Sequence, residues 1–151
     1  MIKSIHVLLI EDNPADADLT RESLEASRFN IEISVAKDGE EAIEFLGNAD
    51  GRPTMILLDL NLPRKDGRQV LAIIKSDDVL RRIPILVLSS SDSEKDITSC
   101  YELGANCYIT KPADLKAYRA IVGTLEEFWF NTATLPARIG HTIATRVAYG
   151  L

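Results

Sequence analysis

The sequence predicts an α/β fold, a doubly wound parallel sheet with helices on both faces, and three observations predict it. The first is a set of apolar runs without alternation: Ile5 to Ile10, Met55 to Leu58, and Ile85 to Leu88. Such runs fit strands covered on both sides, as in a parallel sheet between two helix layers. The second is the order of the elements, strand then helix, five times over. That order implies right-handed crossovers and helices on both faces. The third is where the acids fall. Glu11-Asp12 and Asp59 each end an apolar run, at the carboxyl edge where open α/β sheets build their sites.

Taken in order, Ile5-His6-Val7-Leu8-Leu9-Ile10 is the first strand, and Asn13-Pro14 opens the first helix as N-cap and N1. Leu19 and Leu24 are apolar points on this polar helix, which is expected to end near Arg28. Ile31-Glu32-Ile33-Ser34-Val35 alternates, which places it at a sheet edge. Asp38-Gly39 punctuates, and Glu40 to Leu46 is a short helix with Ala42, Ile43 and Leu46 inward. Gly47 to Pro53 is a loop. The central stretch TMILLDLNLPRKDG, Thr54 to Gly67, is a buried strand ending in Asp59, then a turn-rich loop with Asn61, Pro63 and Asp66-Gly67. Gln69 to Lys75 is helical, and Pro84 to Leu88 is a buried strand followed by Ser89-Ser90-Ser91. Asp92 to Leu103 is a helix stopped by Gly104, Cys107 to Thr110 a short strand closed by Lys111-Pro112, and Asp114 to Phe130 the last helix.

The 151 residues suit one domain with a full core, and no repeat of solenoid length is present. With 46% hydrophobic and 26% charged residues the balance is globular. A net charge of −6 argues against direct binding of DNA, which needs a basic surface. No run approaches the roughly 20 apolar residues of a membrane helix, and residues 1–10 lack the pattern of a secretory signal. Cys100 and Cys107 lack CxxC spacing, and His6 and His141 stand apart from them. Free thiols in a reducing cytoplasm are therefore expected rather than a disulfide or a zinc site.

In a parallel sheet all strand carboxyl ends share one edge, so Glu11-Asp12, Asp59, Ser89 and Lys111 should meet there. Singly, each has an ordinary explanation as turn, cap or surface charge. Together they suit one chemistry. Three carboxylates packed side by side repel and are costly to bury. A hard divalent cation relieves that cost, and Mg²⁺ in particular takes oxygen ligands, retains waters and shares its site with phosphate. Asp12, Asp59 and the backbone carbonyl of Asn61 are the direct ligands expected, with Glu11 acting through water. Lys111 and the Ser89 hydroxyl suit phosphoryl oxygens, and a carboxylate can itself accept a phosphoryl group.

Glu11-Asp12, Asp59 within DLNLP, Ser89 and Lys111-Pro112 resemble the receiver domain of two-component response regulators over about residues 4–130. The resemblance implies the flavodoxin-like strand order 2-1-3-4-5. It implies that Asp59 takes its phosphoryl group from a histidine kinase, that Asp12, Asp59 and the Asn61 carbonyl hold Mg²⁺, and that Lys111 contacts the phosphoryl group. It also makes Ser89 the switch hydroxyl and Tyr108 its rotating aromatic partner. The segment FWFNTATLP, Phe128 to Pro136, is similar to the tail of stand-alone regulators paired with bacterial phytochromes, which implies a phytochrome kinase as partner and a homodimer.

A surface for that dimer is expected on the last helix and the extension of residues 131–151. Tyr118, Ile121, Val122, Leu125, Phe128 and Trp129 recur at three- and four-residue steps. Covering the sheet accounts for Ile121, Val122, Leu125 and Phe128. It leaves Trp129 and Phe130 beyond the sheet, and Leu135, Ile139, Ile143 and Val147 continue at four-residue steps. Tyr118, Phe128, Trp129, Phe130 and Leu135 are thus the interface candidates.

Rival readings are weaker. A haloacid dehalogenase phosphatase also forms an aspartyl phosphate with Mg²⁺, but its acid/base aspartate is replaced by Asn61. An EF-hand fails at Pro63 and Arg64, and a dinucleotide fold would need GxGxxG where EDNPAD stands. A receiver scaffold that no longer phosphorylates is opposed by the intact acid pair, acceptor and lysine.

Overall fold

The computed structural model describes residues 4–137. Five parallel strands form one sheet in the order β2-β1-β3-β4-β5: β1 Ser4–Ile10, β2 Asn30–Ala36, β3 Met55–Leu58, β4 Ile85–Ser89 and β5 Cys107–Thr110. The five helices between and after them are α1 Pro14–Glu25, α2 Gly39–Leu46, α3 Gly67–Ser76, α4 Glu94–Glu102 and α5 Leu115–Leu125. The alternating strand β2 lies at an edge, as its sequence predicts.

Period-two alternation sends the strand side chains into two cores. Leu8, Ile10, Ile56, Leu58, Ile85 and Val87 pack beneath α2, α3 and α4. Ile5, Val7, Leu9, Met55, Leu57, Leu86 and Leu88 pack beneath α1 and α5. Both faces are covered, which is why β1, β3 and β4 read as unbroken apolar runs. The register places Ile10 beside Leu58, Leu58 beside Val87 and Ser89 beside Thr110. The residues just after β1, β3, β4 and β5 therefore line one edge.

The helix ends differ from the sequence reading for local reasons. Helix α1 stops at Glu25, with Ala26 as its C-cap, ahead of the expected Arg28. Helix α3 begins at Gly67 rather than Gln69 because Asp66 is its N-cap in a capping box with Gln69. Helix α4 begins two residues after Asp92, at Glu94, because the Ser93 hydroxyl accepts from the Asp96 amide. It ends before Gly104, whose φ of +105° is open to glycine at little cost.

The largest departure is at the chain's last helix. It is α-helical only to Leu125 and continues as a π-helical turn over Glu126–Thr132, closed by the Ala133 amide on the Phe128 carbonyl at 2.6 Å. The wider turn changes which side chains face the core. Phe130, expected beyond the sheet, is 3% exposed and packs edge-on to Phe29 with ring centroids 6.0 Å apart. Phe128, expected over the sheet, is instead 52% exposed and lies edge-on to Trp129 at 5.4 Å. Tyr118 is also buried, its hydroxyl paired with that of Thr20 across the α1–α5 contact. Tyr118 and Phe130 thus serve this chain's own core, and only Phe128, Trp129 and Leu135 of the interface candidates keep exposed surface. Ile139, Ile143 and Val147 lie outside the described residues.

Candidate functional site: an acidic cluster and a lysine at the carboxyl edge

Backbone pairing builds the site. The Glu11 amide bonds to the Ala36 carbonyl, which ties the end of β1 to β2, and the Asp59 amide bonds to the Ile10 carbonyl, which ties the end of β3 to β1, each at 3.0 Å. Carboxylate oxygens of Glu11, Asp12 and Asp59 all lie within 4.8 Å of one another, with Glu11 and Asp59 buried and Asp12 exposed. Oxygen donors at this spacing fit a hard divalent cation. Asn61 follows, its amide donating to Asp59 Oδ1 at 3.3 Å.

The loop that carries Asn61 is fixed by close packing. A Cβ on Gly67 would lie 2.6 Å from the Asp59 carbonyl oxygen and 2.6 Å from Leu60 Cα. The glycine read as turn punctuation thus lets α3 start directly against the Asp59–Leu60 backbone.

Lys111 reaches the cluster from β5. Its amide bonds to the Ser89 carbonyl at 2.7 Å, which ties the ends of β4 and β5. Its buried ammonium lies 2.9 Å from Glu11 Oε2, 3.2 Å from Asp16 Oδ2 and 3.7 Å from Asp59 Oδ2. Burial alone would lower the Lys111 pKa, but the hydrogen bond to Glu11 and the charges of Glu11 and Asp59 outweigh it and hold the ammonium above the usual range. Burial pushes Glu11 up to about 7 despite its bond to Lys111. The same desolvation raises Asp59, again against the pull of Lys111. Both shifts record the cost of burying charge there, a cost that a divalent cation would relieve.

Ser89 is fully buried at the end of β4, and its Oγ accepts from the Ser91 amide at 3.2 Å. Tyr108 is half-buried on β5, and its hydroxyl donates to the Ser91 carbonyl at 2.7 Å. Ser89 and Tyr108 thus meet at the same loop residue, one strand away from the acids.

Sequence reasoning missed two sets of residues. Asp16 on α1 shares the Lys111 ammonium, and its signal was its place four residues after Asp12 on a helix already capped by Asn13. Arg68, Ser91 and Asp96 form a network between α3 and α4 that no local pattern announces, because its members come from three elements.

Comparison with known proteins agrees with this geometry. The family profile described as response regulator receiver domain matches residues 7–123. Response regulator Rcp1 of Synechocystis is 47% identical over 136 residues, spanning 87% of this chain and 92% of its own length. The crystal structure of its Mn²⁺-bound form aligns with a TM-score of 0.83 and 46% identity, over 88% of this chain and 99% of that one. The phosphorylated cyanobacterial phytochrome response regulator RcpA aligns with a TM-score of 0.85 and 50% identity, over 89% of this chain and all 100% of its own. With its sheet order, its acidic edge and these relatives in agreement, the chain belongs to the response regulator receiver domain family.

Proposed function

We propose that Asp59 accepts a phosphoryl group from the phosphohistidine of a histidine kinase, and that the kinase is a phytochrome-type sensor. The observation that carries this is the convergence of three carboxylates within 4.8 Å, with the Lys111 ammonium 3.7 Å from Asp59 Oδ2. An Asp59 carboxylate oxygen forms the new O–P bond while the N–P bond of the phosphoimidazole breaks and the imidazole leaves. Glu11, Asp12, Asp59 and the Asn61 carbonyl would hold Mg²⁺, which when bound neutralises charge on the transferring group. Lys111 is the protein's own cation for the phosphoryl oxygens, and Ser89 is a hydroxyl donor to one of them. Asn61 stands where a haloacid dehalogenase phosphatase would need its acid/base aspartate, which favours signalling over turnover of substrate. Catalysis by this chain is limited to its own phosphorylation and dephosphorylation.

The phytochrome assignment draws support from RcpA, described as a cyanobacterial phytochrome response regulator, at 50% identity. On this reading residues 4–130 form the receiver and 131–151 an arm, and the protein works in the cytoplasm without contacting DNA. Among the described residues no helix is long and apolar enough to cross a membrane. We also propose a homodimer through the exposed Phe128 and its neighbours Trp129 and Leu135.

Acetyl phosphate with Mg²⁺ is expected to add one base-labile phosphoryl group to the wild-type chain and none to Asp59→Asn. Equal labelling of the Asn variant would remove Asp59 as acceptor, and no labelling of the wild type would leave a scaffold. Sedimentation of the same samples at micromolar concentration is expected to show a dimer. Monomers with and without phosphate would refute it.

A further inference from the structure

The loop between β4 and α4 converges on Ser91. Its amide donates to Ser89 Oγ at 3.2 Å, its carbonyl accepts from the Tyr108 hydroxyl at 2.7 Å, and its own hydroxyl donates to Asp96 Oδ2 at 2.5 Å. Asp96, in the first turn of α4, pairs in turn with the Arg68 guanidinium of α3, which also reaches Asp66 Oδ1 at 3.4 Å. The Ser91 hydroxyl and Arg68 hold the Asp96 carboxyl below its usual range, so the pair stays charged. Arg68 stands on a well-anchored helix, since Val70, Leu71 and Ile74 of α3 are buried. The chain of contacts therefore runs from a packed helix to the loop that carries Ser91.

A serine hydroxyl has one hydrogen to give and two lone pairs to receive. At Ser89 the Ser91 amide occupies an accepting position, which leaves the hydroxyl hydrogen free to be donated. A phosphoryl oxygen can only accept. Ser91, held from both its carbonyl and its side chain, thus presents Ser89 as a donor before any phosphoryl group arrives.

We propose that Arg68 and Asp96 are positioning residues for phosphoryl acceptance: acting through Ser91, this clasp between α3 and α4 holds the Ser89 hydroxyl in its donating arrangement. The proposal rests on Asp59 as the acceptor. Preorganised donors aimed at developing charge accelerate transfer, whereas donors that must first be ordered do not. Loosening the clasp therefore slows labelling without touching the metal site.

The test is the rate of labelling of the full chain by acetyl phosphate with Mg²⁺, alongside Mg²⁺ affinity by calorimetry. Asp96→Ala and Arg68→Ala are expected to slow labelling about five- to tenfold, with Mg²⁺ affinity unchanged. Arg68→Lys, which keeps the ion pair, should recover part of the rate. In a Ser89→Ala background, Asp96→Ala should have no further effect, because the group it positions is gone. A loss of the same factor in both backgrounds, or wild-type rates in both single variants, overturns the clasp. If circular dichroism shows Asp96→Ala unfolded, Asp96→Asn and the two Arg68 variants decide the matter, since Asn retains an acceptor for Ser91 but not the charge that holds Arg68. Labelling that persists in Asp59→Asn counts against the acceptor. Asp59-dependent labelling indifferent to Arg68 and Asp96 counts against the clasp alone.

Discussion

The acids after β1 and β3 and the loop after β4 are neighbours on one sheet edge, yet different forces hold them. The acids follow strands that are buried from Ile5 to Ile10 and from Met55 to Leu58, and the backbone after Asp59 is pressed against Gly67. The β4–α4 loop is held by exchangeable polar bonds centred on Ser91, and the strand beside it, β5, is only half-buried. Close packing yields one geometry and resists displacement. Hydrogen bonds among hydroxyls, a carboxylate and a backbone carbonyl can be traded for others of similar strength, which permits two arrangements of nearly equal energy. The difference teaches where an arrangement is fixed and where it can be exchanged: the acids sit in the packed part, and Ser89 and Tyr108 meet in the hydrogen-bonded part.

The sharpest way to break this comparison is Gly67→Ala. At an ordinary helix position the change to alanine is favourable. Here the added methyl would meet the Asp59 carbonyl oxygen and Leu60 Cα at 2.6 Å. A loss of about 3 kcal/mol in denaturant unfolding is expected, from overpacking against backbone, together with weaker Mg²⁺ binding. Wild-type stability would show that the acceptor loop yields, and the packed half would not be packed in the sense argued.

A smaller effect comes from pH. Glu11, ordinarily at 4.5, is raised to about 7 in the folded protein, chiefly by burial, and Asp59 is shifted in the same direction. Between those values the folded state keeps a proton that the unfolded chain has released. Metal-free stability is therefore greatest below the ordinary value and is lost as pH rises through about 7. The expected loss is about 1–2 kcal/mol between roughly pH 5 and pH 8, read as a falling melting temperature. Millimolar Mg²⁺ should close the gap by binding the ionised cluster, and Glu11→Gln should flatten it. A metal-free melting temperature that rises over this range would contradict the burial of the acids.

The mildest change tests the other half. The Tyr101 hydroxyl accepts from the Tyr108 amide at 3.1 Å, on the exposed edge of the sheet. Because water can replace it there, Tyr101→Phe is expected to cost about 0.5 kcal/mol or less. A penalty as large as that of Gly67→Ala would mean that β5 is held as rigidly as β3, and the contrast between the two parts would fail.

Much of this protein is determined by sequence alone, for a physical reason. Buried parallel strands must be apolar on both faces, so β1, β3 and β4 announce themselves. A parallel sheet must bring its carboxyl ends together, so Glu11, Asp12, Asp59, Ser89 and Lys111 could be assigned to one edge before any coordinate was known. Helix caps were legible where the signal was local, as at Asn13-Pro14, and misjudged at Asp66, where a turn-like Asp-Gly pair is the start of α3. Only the tertiary structure decided three things. It turned Phe130 inward and Phe128 outward, because a π-helical turn breaks the period on which the stripe was read. It added Asp16 to Lys111, because two side chains from distant segments had to be laid against each other. And it joined Arg68 of α3, Asp96 of α4, Ser91 of the β4–α4 loop and Tyr108 of β5 into one network, because hydrogen bonds between separate elements have no period in the sequence and exist only once packing has set their distances.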